Sequence, residues 1–208
     1  MSRPRLALAL ALGVVVTTAA GCTTAAAPGV HLAAAHRTTT TVAPTTLPPT
    51  TTTTVDPGSL PQTNQLPSDD DPLFTAHMAD LFQAVAEDEP AEALPSFFPL
   101  LAYIEVKGIS DPIHDYETRL IPDFDEDIDT IHAELGPDAD SAVMTGVSVP
   151  TSAAEWILPG VEYNKGSYWR VYDTEVDYTV DGRSGSFEVT SMISWRGEWY
   201  VVHLGGIR

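Results

Sequence analysis

The sequence predicts an α+β domain in which N-terminal helices pack on an antiparallel sheet, preceded by a disordered Thr/Pro-rich tether. Three observations lead there. Between residues 72 and 135 apolar side chains recur every three or four positions, the spacing of a helix face. From Tyr168 to Leu204 they alternate instead, and Asp181-Gly182 and Arg196-Gly197 mark two turns. The acids are also partitioned: of 29 in 208 residues, only Asp56 falls in the first 68. With 10 Lys+Arg the formal net charge is −19, which repels phosphates and argues against nucleic acid as a partner. The single cysteine rules out an intramolecular disulfide, and about 140 residues are enough to bury a core without one.

The first element is an address. Arg3 and Arg5 precede an apolar run from Leu6 to Val16, too short to span a bilayer, and small residues follow it. The string Ala19-Ala20-Gly21-Cys22 resembles the lipobox of bacterial lipoproteins, with Ala19 where that family usually has Leu. The lone cysteine of the chain stands at the lipobox position. The resemblance implies a signal peptide over residues 1–21, cleavage before Cys22, a thioether diacylglycerol on its sulfur and usually an acyl (palmitate-type) chain on its amine. Two or more chains make such an anchor stable, at about 0.8 kcal/mol per buried methylene. It places the chain at the extracytoplasmic face of the cell membrane. The competing reading is an ordinary secretory signal cut near Ala20 or Ala27.

Residues 22–68 read as a disordered linker. Thr38 to Thr41, Thr45-Thr46 and Thr50 to Thr54 alternate with Pro44, Pro48 and Pro49, and nothing periodic or bulky is present to offset the entropy of ordering. Polyproline-II geometry would let the segment reach about 140 Å. Such tracts are compatible with O-glycosylation, and an inert spacer is the simpler reading.

The folded part is expected over residues 69–208. Ser68 to Asp71 followed by Pro72 forms a helix start, and Leu73, Phe74, His77, Met78, Leu81, Phe82 and Val85 share one face. Ala91 to Phe98 predicts a short second helix, weakened by Pro95, and Ala102 to Lys107 predicts a short strand. Ser110 or Asp111 caps a longer helix with a stripe from Ile113 to Leu135; Pro122 predicts a kink or two abutting helices, and Gly136-Pro137 a stop. Asp123, Asp125, Asp127, Asp129 and Glu134 occupy the ligand spacing of an EF-hand calcium loop, but Ile128 stands where the loop needs Gly. Phe124, Ile128 and Ile131 continue the helical stripe, which turns the carboxylates toward solvent. No metal or cofactor set is predicted.

The strands can be registered from their turns. Asp181-Gly182 pairs Val180 with Arg183, then Tyr178 with Gly185, Val176 with Phe187, Thr174 with Val189, Tyr172 with Ser191, Arg170 with Ile193 and Tyr168 with Trp195. Arg196-Gly197 pairs Ile193 with Tyr200, Ser191 with Val202 and Val189 with Leu204. Ala142 to Val149 reads as one further strand.

Phe82 with its acidic turn, Phe97-Phe98, and the string Trp195-Arg196-Gly197-Glu198-Trp199-Tyr200-Val201-Val202-His203 resemble the nuclear-transport-factor-2-like (SnoaL-like, cystatin-type) α+β cone over about residues 71–208. The resemblance implies a curved sheet wrapped round a long helix, a pocket at the open end, and in many members a dimer through the sheet. That family holds enzymes and non-enzymes, so it carries no reaction with it.

The register places Arg170, Tyr172, Ser191 and Tyr200 together as candidate pocket residues, with His203 and His114 as candidate acid/base groups. Arg170 either grips an anionic or aromatic ligand or pairs with Asp115 or Glu117 of the long helix. On the other face Trp169, Met192, Trp199 and Val201 form an apolar cluster. It serves either as an interface for a second copy or an envelope protein, or is covered by the chain itself, for instance by the connection through Trp156. The loop Glu162 to Gly166 either rims the pocket or is only a turn. No His-Glu-x-x-His, Gly-x-Ser-x-Gly or phosphate loop is present, so no residue is assigned to catalysis. The expectation is a lipid-anchored binding or interaction module; the alternative is a small isomerase, dehydratase or hydrolase using His203 or His114.

Overall fold

The structure is a computed structural model in which residues 55–207 are described. The segment expected to be a signal peptide, Cys22 and the Thr/Pro tract up to residue 54 lie outside them. The architecture is α+β, with four helices and a five-stranded antiparallel sheet. Among the described residues no helix is long and apolar enough to cross a membrane.

Helix α1 (Pro72–Glu87) starts as its sequence requires: the Asp71 carboxylate accepts the Leu73 N–H and Pro72 fills a position whose N–H would have no partner. It ends on Asp88 in the left-handed conformation. Pro90–Ser96 is a 3₁₀ turn rather than a second α-helix, because Pro95 cannot donate to a helical ladder. The predicted strand 102–107 is instead helix α2 (Leu100–Val106); Ala102, Tyr103 and Val106 are its buried side, a spacing that also reads as brief alternation. Helix α3 (Pro112–Asp115) is capped by Asp111 and runs through a π-helical turn, Tyr116–Leu120, into α4 (Ile121–Leu135). The Ile121 N–H reaches back to the Tyr116 carbonyl. Pro122 supplies the cause, since it offers no N–H to the turn before it and its ring crowds that turn.

Helix α4 continues through the calcium-like spacing, with Phe124 and Ile128 buried in the core, so no cation loop forms. Among the described residues no group of three or more ligating side chains is placed to hold a metal. One carboxylate departs from the expected solvated face: Asp127 is buried and accepts the Gly205 N–H at 2.7 Å, tying the C-terminal segment to α4.

The strands are β1 (Val143–Ser148), β2 (Glu155–Ile157), β3 (Tyr168–Val180), β4 (Arg183–Trp195) and β5 (Glu198–His203), in the order β1-β3-β4-β5, with β2 also on β3. Both tight turns have two residues of positive φ, Asp181-Gly182 and Arg196-Gly197. The β3–β4 register follows the first turn from Val180↔Arg183 to Arg170↔Ile193. The Tyr168–Trp195 pair is absent from it, while on the other side of β3 Tyr168 pairs with Ile157. The β4–β5 register holds from Trp195↔Glu198 to Met192↔Val201 and then slips by one residue, so that Ser191 faces His203, not Val202, and the Thr190 N–H goes to Leu204. This bulge re-aims His203.

Helix α1 covers the sheet face predicted to be the core, with Phe82 stacked on Phe187 at 6.4 Å between centroids. The Phe97 ring meets Phe124 of α4 at 4.5 Å.

Residues 57–66 change the expected boundary. They are fixed on the folded part, although the composition placed them in the linker. The Trp195 indole donates to the Pro57 carbonyl at 2.9 Å and the Trp169 indole to that of Asn64 at 3.1 Å. The Gln62 side chain wedges into the end of the β3–β4 ladder, donating to the Ser194 carbonyl at 2.7 Å and accepting the Arg196 N–H at 2.7 Å. Trp169 N–H turns to Ser194 Oγ there, which accounts for the missing last strand pair.

Candidate functional site

Of the cavities among the described residues, two take up the predicted pocket residues, and they differ in size and chemistry. The smaller, about 90 Å³, gathers Arg170 and Tyr172 of β3, Ser191 of β4 and His203 of β5, together with Tyr103 and Lys107 from the end of α2 and Glu162 from the loop before β3. Four of the predicted pocket residues therefore meet. Tyr200 does not join them; it lines the second cavity. His114 lines neither and is exposed, because α3 is too short to bury its side.

The bulge at the end of β5 brings His203 Nδ1 to 2.8 Å from Ser191 Oγ. Burial, reinforced by the positive charges of Arg119 and Lys107, pushes His203 down to about 4. The imidazole is thus neutral at pH 7 and a weak base, far from the value that general-base catalysis favours. Arg170 is paired with neither Asp115 nor Glu117. Its guanidinium bonds Glu155 at 2.6 Å and Glu162, and stacks over the Tyr172 ring at 4.5 Å. Asp115 is held by Arg119 at 2.7 Å and by the Tyr103 hydroxyl, and the Arg119 hydrogen bond keeps its carboxyl below the usual range.

Of the loop Glu162 to Gly166, Glu162 alone lines this cavity. Asn164, 4% exposed, organises the loop: its Oδ1 accepts the Glu162 N–H and its Nδ2 donates to the Leu158 and Gly166 carbonyls. The loop is also pinned to α2, through Gly108 N–H to Tyr163 and Lys165 N–H to Val106. Glu162 takes both Arg170 and the Tyr168 hydroxyl. The cavity is small because its own charges fill it.

The larger cavity, about 570 Å³, is bounded by Pro57, by Leu73 and His77 of α1, by Leu94, Pro95, Phe97 and Pro99, by Tyr116 and Ile121, and by Tyr200 of β5. Its size is that of a small-molecule site. Three prolines set parts of its wall, and their fixed φ limits how far that wall can collapse. Leu73 and Leu94 remain 43% and 45% exposed. His77 lies 5.5 Å from Tyr200 between ring centroids, and its Nδ1 is buried without a hydrogen-bond partner. Burial lowers His77 and raises Tyr116 and Tyr200 to about 12, with the carboxylates of Asp56 and Glu198 adding to the rise at Tyr200. Burial, then the nearby Asp71 carboxylate, holds Glu198 at about 7.

The apolar cluster of the opposite face is not exposed. Met192, Trp199 and Val201 are each 0–1% exposed, and Trp169 is half-buried. The chain covers it in part through Trp156, packed on Trp169 at 5.4 Å, and through residues 57–66, whose Asn64 carbonyl accepts the Trp169 indole. Of the two readings of this cluster, burial by the chain itself is the one these residues follow.

Comparison of the chain with protein-family models, with curated proteins and with solved structures gave no match.

Proposed function

We propose that this protein is a lipid-anchored, extracytoplasmic binding protein: a Cys22 diacylglycerol anchor, a Thr/Pro stalk, and a nuclear-transport-factor-2-like α+β domain that holds a small ligand by its apolar body. The observation that carries the binding reading is the contrast in room. The apolar cavity offers about 570 Å³ of unfilled space, while the polar one, at about 90 Å³, is occupied by its own Arg170–Glu162 pair. The catalytic alternative rests on the Ser191–His203 contact, and a base at about 4 supports it poorly.

The test of binding is native mass spectrometry of the chain from residue 22 onward, carrying Cys22→Ser and recovered from the envelope without detergent. A co-purified small molecule, lost in Leu94→Trp, is the expected result. Absence of any adduct, together with no binding of 1-octanol by calorimetry, refutes the reading. For the anchor, Cys22→Ser in the full-length protein should abolish labelling with radioactive palmitate and release the protein from membranes; unchanged attachment refutes it.

A further inference from the structure

The apolar cavity has a charged margin that its lining does not reveal. Asp56 immediately precedes Pro57, which lines the cavity, and its Oδ1 accepts the Gly58 N–H at 2.8 Å. Asp71 caps α1 two residues before Leu73, another lining residue. Glu198 lies two residues before Tyr200 on the same face of β5 and pairs across the ladder with Trp195, whose indole is bonded to Pro57. None of the three lines the cavity itself, but Glu198 and Asp56 both act on Tyr200 and Asp71 is bonded to Glu198, so three elements distant in sequence bring a carboxylate each to its Tyr200 side. Among the described residues none of the three forms a salt bridge; Asp56 and Asp71 accept backbone N–H groups, and Glu198 meets Asp71. Glu198 is partly buried and shares a hydrogen bond with the Asp71 carboxyl, so the two acids meet at this margin.

Inside, the wall is aromatic. His77 and Tyr200 lie 5.5 Å apart between centroids, and Phe97 and Tyr116 lie 5.7 Å apart. Aromatic faces attract a positive charge, most strongly one whose hydration is already weak, as in a quaternary ammonium. An anionic ligand would meet three carboxylates and no compensating base. A neutral one would gain no charge attraction from them.

We infer that the apolar cavity takes a lipophilic organic cation, with its hydrocarbon body against Leu73, Leu94 and Phe97 and its ammonium among Asp56, Asp71 and Glu198. The inference rests on the binding reading above and adds the sign of the ligand's charge. It also gives the high negative charge of the domain a local use, since the field of the whole molecule would concentrate cations near this mouth.

The test is isothermal titration calorimetry of the chain from residue 22 onward with Cys22→Ser, using three probes of equal chain length: octyltrimethylammonium, 1-octanol and octanoate. Salt is held at about 0.15 M to screen the general surface field. The expected order is octyltrimethylammonium over 1-octanol by about tenfold or more, with octanoate weakest. Glu198→Gln and Asp71→Asn, the latter retaining a helix cap, should each remove most of that preference while leaving 1-octanol binding unchanged. Asp177→Asn, paired with Gly146 and Ser186 seven residues along β3 from Arg170, whose ladder leads through Ile193 to Tyr200, should leave both unchanged. Equal binding of the cation and 1-octanol sinks this inference and leaves the binding reading standing. Binding of no probe sinks both. A cation preference that Asp177→Asn reduces as much as Glu198→Gln assigns it to the general surface charge and also overturns the inference.

Discussion

The two cavities are built from the same sheet face and have opposite characters. Where β3, β4 and the bulged end of β5 meet the tip of α2, the chain supplies Arg170, Glu162, Ser191 and His203, and these side chains spend themselves on each other. Where β5 meets α1, the 3₁₀ turn and the π-helical turn, the chain supplies leucines, prolines and rings that leave space open. A cluster of reactive residue types is therefore a poor guide to a site unless room remains beside it. In this fold the room lies with the residues that have least chemistry of their own.

That contrast can be broken at its polar side first. Arg170→Met strands Glu162 and Glu155 and should lower stability by about 3 kcal/mol in urea unfolding, whereas an effect within about 0.5 kcal/mol would mean that the pair is not buried enough to matter. The two cavities also predict opposed pH dependences. His203 has a folded value near 4 against 6.5 unfolded, so the unfolded chain binds the proton first and stability falls as pH drops from 6.5 toward 4. With discount for its partial exposure this costs about 2 kcal/mol, and His203→Gln should flatten that limb of a stability–pH curve. Glu198 has a folded value near 7 against 4.5 unfolded, so its effect has the reverse sign: stability falls as pH rises from 4.5 through 7. Glu198→Gln should steepen the net acid loss between about pH 4.5 and 6.5, because it removes the opposing slope.

Smaller changes sharpen the apolar side. Gln62→Ala removes hydrogen bonds to the Ser194 carbonyl and the Arg196 N–H, and should cost about 1–2 kcal/mol by thermal melt. Its loss should also loosen the wall at Pro57, seen as faster hydrogen exchange of the Gly58 amide. Leu94→Ala should change stability by less than about 0.5 kcal/mol, since the side chain is half exposed, yet weaken 1-octanol binding several-fold. A large stability loss there would mean that Leu94 is core rather than cavity wall.

The sequence made some of this readable and hid the rest for identifiable reasons. Asp181-Gly182 fixes one register because only a tight turn of positive φ fits it, and every β3–β4 pair from Arg170↔Ile193 to Val180↔Arg183 follows. The same logic carries β5 as far as Val201, where the bulge intervenes. Val202 and His203 fit either register by hydropathy, so nothing local announces the extra residue. That slip brings His203 to Ser191, and no alternation rule yields it. Tyr200 and Arg170 share one face of the sheet, but the cavity Tyr200 lines depends on where Phe97, Pro99 and Tyr116 arrive, which is tertiary information. Residues 57–66 read as linker because their composition matches the Thr/Pro tract, while their attachment runs through backbone carbonyls and one glutamine, which composition does not register. Asn164 was legible only as part of a polar loop. Its role needs the fold to bury it.

The strap that ends at Asp71 has a mechanical side. Gln62, Pro61, Asn64 and Pro57 are each held at separate points along the sheet's end, so tension applied at residue 55 meets those bonds in succession and not all at once. Peeling residues 57–70 free would release roughly 45 Å of slack before any strand or helix bears load. The first bond to go is the one at Pro57, so a stretched molecule parts with a piece of its apolar cavity wall long before its core feels the pull.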